Sequence, residues 1–87
     1  MIFDTWGGIL AHADFVPFSL LPISSIITHL KSDSKTSEIP IILFTKGGNP
    51  WIVEIASTGC AAVSCDWTMS LGEVRKLVDD RVAIQGN

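Results

Sequence analysis

Phe3-Asp4-Thr5-Trp6-Gly7-Gly8 decides how the rest of the chain is read. The apolar run Met1-Ile2-Phe3 meets two polar residues and then a glycine pair. A buried strand ends in this way when its C-terminal tip has to present side chains to a ligand. The same grammar returns in Ile41-Ile42-Leu43-Phe44-Thr45-Lys46-Gly47-Gly48. It recurs more weakly in Ala62-Val63-Ser64-Cys65-Asp66-Trp67 and in Val82-Ala83-Ile84-Gln85-Gly86-Asn87. Four apolar strands thus end in polar residues, and three helix-like segments separate them. The chain reads as a row of strand–helix units with a working edge along one side.

Working outward, residues 1–6 form the first strand and 7–13 a loop that includes His12. From Asp14 to Lys31 the apolar residues Phe15, Phe18, Ile23, Ile26, Ile27 and Leu30 recur at helical spacing. Pro22 removes a backbone donor and crowds the preceding turn, so the spacing predicts a short helical turn and then a helix with Pro22 near its start. Residues 32–38 are a polar loop and 39–45 the second strand, with Pro40 at its beginning. Asn49 reads as an N-cap, Pro50 as the first helical residue and Gly59 as the left-handed C-terminal residue, with Ile52, Ile55 and Ala56 inward. Residues 61–66 form the third strand. Ser70 and Glu73 make a capping-box pattern ahead of Leu71, Val74, Leu77 and Val78, and residues 81–84 form the last strand. Alternating strands and helices imply parallel pairing with right-handed crossovers, and continuous apolar strands imply that both sheet faces are covered. A β/α-barrel segment and an open doubly wound sheet both satisfy this pattern.

The 87 residues allow one small domain. A composition 47% hydrophobic and 17% charged is apolar for a domain that buries so little of its surface. Because the sequence starts inside a strand and stops directly after one, it reads as an internal segment of a longer α/β protein. A net charge of −3 with six Lys plus Arg gives no basic stripe for nucleic acid. No apolar run approaches the roughly 20 residues of a membrane helix, and no signal peptide is visible. Cys60 and Cys65 form neither a CxxC motif nor a disulfide framework and read as buried, reduced thiols of a cytosolic protein. No strand is followed by a dinucleotide or P-loop glycine motif.

Each candidate for chemistry has two readings. Thr5 either hydrogen-bonds a ligand carboxylate or caps its turn. Asp4 is either an acid or, pointing opposite to Thr5, an anchor for backbone or a neighbouring strand, the second being preferred. Lys46 is either a Schiff-base amine or an ordinary ion-pairing lysine, the second being preferred. Gly47-Gly48 either cradles a phosphate or simply turns the chain. His12 and His29 lie apart, without carboxylates or cysteines at metal-ligand spacing. The Trp67 ring is expected to pack under the helices, whereas Trp6 and Trp51 wall a pocket or line an interface.

Taken together, Ile2-Phe3-Asp4-Thr5-Trp6-Gly7-Gly8, Leu43-Phe44-Thr45-Lys46-Gly47-Gly48, Asp66-Trp67-Thr68 and Gln85-Gly86-Asn87 resemble the uroporphyrinogen decarboxylase family in order and spacing. Phe18-Ser19-Leu20 and Thr58-Gly59-Cys60 fit between those blocks, so the resemblance covers essentially the whole chain. It implies a cytoplasmic, homodimeric (β/α)8 TIM barrel, of which these residues are roughly the third quarter. It also implies a reaction without cofactor or metal, in which the four acetate side chains of uroporphyrinogen become the methyls of coproporphyrinogen in porphyrin and haem biosynthesis. Thr5 matches the family's substrate-binding Ser/Thr and Phe3 an aromatic lying against the macrocycle. Lys46 and Gln85 match strand-tip residues to which no role is assigned.

The family's arginine-rich loop, pyrrole-binding aspartate, active-site tyrosine and C-terminal histidine are not among these residues, and Asn49-Pro50 and Ser64-Cys65 depart from its commoner residues. The segment alone is therefore expected to hold no catalytic residue and to be inactive. The competing readings are a cobalamin-linked methyltransferase of the wider superfamily, whose His/Cys zinc cluster does not appear here, and a truncated, non-catalytic product.

Overall fold

The computed structural model describes residues 1–86. Asn87, read above with Gln85 and Gly86, lies outside the described residues. Four parallel strands, β1 (Ile2–Asp4), β2 (Ile42–Thr45), β3 (Ala62–Ser64) and β4 (Ala83–Gln85), form one sheet in the order β1-β2-β3-β4. Sequential order without a reversal is what consecutive right-handed crossovers produce, and it puts every connecting helix on the same side. This is the arrangement of an arc of a (β/α)8 barrel, and it sets aside the doubly wound alternative, whose sheet reverses at a switch point.

The register makes the two faces explicit. Ile2, Leu43, Val63 and Ile84 form one row across the sheet, and Phe3, Phe44, Ser64 and Gln85 the next. Leu43 and Val63 are buried beneath the helices, whereas Phe3 is 66% exposed and Ala83 and Gln85 are also exposed. The expectation that both faces are covered is corrected: among the described residues only one face carries helices. The strands are apolar on both faces because the second is lined by Phe3 and Phe44, which meet edge-on at 6.1 Å.

The strands are shorter than their apolar runs. Thr5 and Trp6 leave the ladder for a bend, and β2 starts only at Ile42, after Pro40. The segment read as a loop before Asp14 holds a 3-10 turn at Gly7–Ile9, and helix α1 begins already at His12 (His12–Phe15). Helix α1 runs through a π turn, Val16–Leu20, directly into α2 (Leu21–Ser32), so no break separates them. Pro22 has no N–H to give and crowds the turn before it; the wider turn, closed by the Leu21 N–H on the Val16 carbonyl, takes up both faults. The extra residue also shifts the helical phase. Phe15, Ser19, Ile23 and Ile27 are buried, while Phe18 and Ile26, which share the helical spacing noted above, stand outward.

By length and composition the continuous 21-residue helix His12–Ser32 could cross a membrane, which the reading in two pieces concealed. Its buried stripe, with Phe15 and Ile27 fully enclosed, belongs to the core beneath the sheet.

Helix α3 (Ile52–Ala56) follows a 3-10 turn at Asn49–Trp51 and buries Ile52, Ile55 and Ala56, as expected. Gly59 takes φ +92°, the left-handed conformation expected after that helix. Helix α4 (Leu71–Val78) starts with the capping box formed as read: Glu73 N–H donates to Ser70 Oγ at 3.3 Å, and Ser70 N–H to Glu73 Oε2 at 3.1 Å. Val74 and Val78 are fully buried, but Leu71 and Leu77 are about half exposed, because α4 spans barely two turns and only one narrow stripe reaches the sheet.

Candidate active-site rim

Three consecutive strand tips form one rim. At β1 the Asp4 carboxylate folds back on its own loop, Oδ1 accepting from Gly7 N–H at 2.9 Å and Oδ2 from the Ser19 hydroxyl at 2.5 Å. Asp4 thus ties the tip to the long helix, the anchoring role expected of it. Between β1 and β2, Lys46 N–H donates to the Asp4 carbonyl at 3.1 Å, and Gly8 lies directly on the Lys46–Gly47 backbone.

Between β2 and β3 the organiser is Asp66, 4% exposed. Its Oδ2 accepts from Gly47 N–H at 2.7 Å. Its Oδ1 accepts from Asn49 Nδ2 at 2.7 Å, Thr68 N–H at 2.9 Å and the Thr68 hydroxyl at 2.7 Å. Burial alone would raise this carboxyl's pKa. The donors from Thr68, Gly47 and Asn49 outweigh burial and hold it below the ordinary aspartate value.

Two expectations are corrected by this network. Asn49 is no N-cap: no side-chain cap bond forms, and its amide donates to Asp66 and, at 2.8 Å, to Thr68 Oγ1. A buried carboxylate needs donors more than the short turn needs a cap. The Gly47-Gly48 amides cradle no phosphate, since Gly47 N–H is spent on Asp66 and Gly48 N–H on the Thr45 carbonyl at 3.0 Å. Asp66-x-Thr68 carries an Asx-turn signature that could have pointed to this network from sequence.

The rim encloses a hollow of about 190 Å³ lined by Thr5, Trp6, Ile9, Lys46, Asp66 and Trp67, among others. Trp67 is 71% exposed rather than packed under the helices, because Asp66 is drawn inward by its donors and the next side chain turns the other way. Trp6 also walls this hollow. Trp51 does not: it stacks on Phe15 at 4.3 Å, inside the helix layer. Lys46 lines the hollow, exposed, and forms no ion pair among the described residues, contrary to the ion-pairing reading.

A second hollow, of about 280 Å³, lies on the uncovered sheet face and is lined by Phe3, Phe44, Ser64, Cys65, Gln85 and neighbours. Phe3 and Thr5, two residues apart, therefore line different hollows.

Away from the rim, His12 Nε2 meets Glu54 Oε1 at 2.8 Å and Oε2 at 3.0 Å, an exposed link from α1 to α3 that its assignment to a loop had missed. Cys60 and Cys65 are both free and buried. Burial pushes both thiols' pKa values up, and for Cys65 the neighbouring Asp66 charge adds to it. Among the described residues no three His, Cys, Asp or Glu side chains gather to hold a metal.

The rim thus brings a hydroxyl, an exposed ammonium and two indole rings around one hollow. The family model for uroporphyrinogen decarboxylase (URO-D) matches residues 1–87. The chain is 48% identical over all 87 residues to the uroporphyrinogen decarboxylase of Actinobacillus succinogenes, covering 25% of that protein. It is 48% identical to the one from Nitrosomonas europaea and 49% identical to the one from Hamiltonella defensa, covering all of this chain and 24% of each. The chain spans about a quarter of the length of the curated relatives it matches. With its whole length inside the family model, the chain belongs to the uroporphyrinogen decarboxylase family.

Proposed function

We propose that these residues are one segment of a single (β/α)8 barrel domain, and that the complete protein is a carboxy-lyase converting uroporphyrinogen to coproporphyrinogen. The observation that carries this reading is the coincidence of a full-length family match with a rim of strand tips enclosing aromatic and hydroxyl groups. Each turn of the reaction takes one acetate side chain to a methyl. Protonation of a pyrrole carbon makes the ring an electron sink. The bond to the carboxylate breaks, its electron pair enters the ring, and CO2 leaves. A second proton then reaches the exocyclic carbon as the ring proton is lost, so one proton is consumed for each CO2 released.

In this scheme Phe3 lies against the macrocycle and the Thr5 hydroxyl donates a hydrogen bond to substrate. Both orient the substrate rather than transfer a proton, and the acid belongs to the remainder of the barrel. Asp66 is an unsuitable acid, since its oxygens are saturated by protein donors and it stays ionised. The working form is a cytoplasmic homodimer.

The test is a decarboxylation assay of the complete protein with uroporphyrinogen III, the product resolved by chromatography, beside sedimentation of the same sample. Coproporphyrinogen from a dimer is the expected result. Thr5→Ala and Phe3→Ala should each raise KM. An inactive complete protein, or activity from the 87-residue peptide alone, would overturn the reading.

A further inference from the structure

We infer that Asp66 is a positioning residue for the substrate rim: its carboxylate holds the Lys46–Gly47 turn of one strand tip against the Trp67 tip of the next. The inference rests on the reading of this rim as the substrate site.

Three observations carry it. First, the two oxygens divide their work. One takes the amide of Gly47, the residue directly after Lys46, and the other takes the donors of Asn49 and Thr68. The carboxylate therefore bridges the two tips. Second, Gly47 adopts φ +74°, the left-handed conformation that glycine takes without strain, and it is this residue's own N–H that donates to Asp66. Third, Asp66 is the carboxylate in the lining of this hollow, and it faces inward, onto protein donors. Both its oxygens are occupied by those donors, and Lys46, next to the Gly47 that Asp66 holds, forms no ion pair among the described residues.

Asp66→Asn is nearly isosteric and keeps one oxygen, but its amide nitrogen cannot accept from Gly47 or Asn49. In the complete protein it should raise KM for uroporphyrinogen about tenfold while kcat changes less than about threefold, the pattern of lost substrate placement. Amide exchange at Gly47 and Thr68 should quicken in the same variant. Val74→Ala is the control, because it removes buried volume from α4, away from the rim; it should lower Tm yet leave KM and the Gly47 exchange rate at wild-type values.

Should Asp66→Asn not fold, Thr68→Ala removes one donor and keeps the carboxylate, and a smaller rise in KM with quicker exchange at the same amides is expected. KM and exchange that move equally in Asp66→Asn and Val74→Ala, or in neither, would overturn the inference. If the wild-type protein has no decarboxylase activity, the proposed function falls, and the exchange comparison still decides whether Asp66 holds the two tips.

Discussion

Gly8 sits on the backbone of Lys46 so closely that a methyl group on its α-carbon would lie 1.9 Å from the Lys46 carbonyl oxygen. Both partners are main chain, so no rotamer change relieves the contact. Gly8→Ala in the complete protein should cost about 3 kcal/mol, read as a lowered urea midpoint. Gly47→Ala, where the strain is the +74° backbone angle and the nearest contact is only 3.4 Å, should cost about 1–2 kcal/mol. A Gly8 variant no less stable than the Gly47 variant would show that the tips can separate.

The Asp66 network predicts an acid limb of the stability curve. Its carboxyl is held below its ordinary value of 3.8, so over that interval the unfolded chain binds the proton that the folded chain does not. Stability from this group is complete above about pH 4 and is lost as pH falls through the lower folded value. Tm of Asp66→Asn should therefore lie below wild type at pH 7, and the gap should narrow as pH falls below the ordinary aspartate value. Parallel curves would remove Asp66 from the titration.

Phe15 and Phe18 look alike in sequence and should behave very differently. Phe15 is fully buried and stacked on Trp51, so Phe15→Ala should cost about 3–5 kcal/mol. Phe18 is 73% exposed, and Phe18→Ala should stay within about 0.5 kcal/mol unless another part of the protein covers it. Chemical denaturation of the pair reads out the helical phase set by the π turn.

The thiols supply a test on the alkaline side. Cys60 and Cys65 are held neutral above their ordinary value of 9.0, chiefly by burial. Both should resist a thiol reagent at pH 8 in the native protein and react at once in urea, as peptide mapping would show. Above about pH 9 the unfolded chain gives up thiol protons that the folded chain keeps, so stability should fall as pH rises.

Much of the architecture was legible because apolar runs, proline and glycine positions and the Ser70–Glu73 box are local signals. The family blocks were legible too, as runs of side chains at the strand tips. What escaped was settled by contacts distant in sequence. Asn49 had every local mark of an N-cap, yet a carboxylate 17 residues away took its amide. Phe18 and Ile26 share the helical spacing of their neighbours, yet the buried stripe that runs through the π turn, Phe15, Ser19, Ile23 and Ile27, leaves both outside. Trp67 was assigned to packing because large rings usually pack, and it was the inward turn of Asp66 that sent it out.

The barrel rim is often treated as a frame bearing interchangeable loops. Here each tip leans on its neighbour: the β1 loop rests by Gly8 on the β2 turn, and the β2 turn hangs from Asp66 on β3. A loop transplanted singly from another barrel would meet a neighbour shaped for a different occupant. On this arc the rim behaves as one block of three strands, and recombination between relatives should succeed when its crossover points fall outside the block and fail when they fall within it.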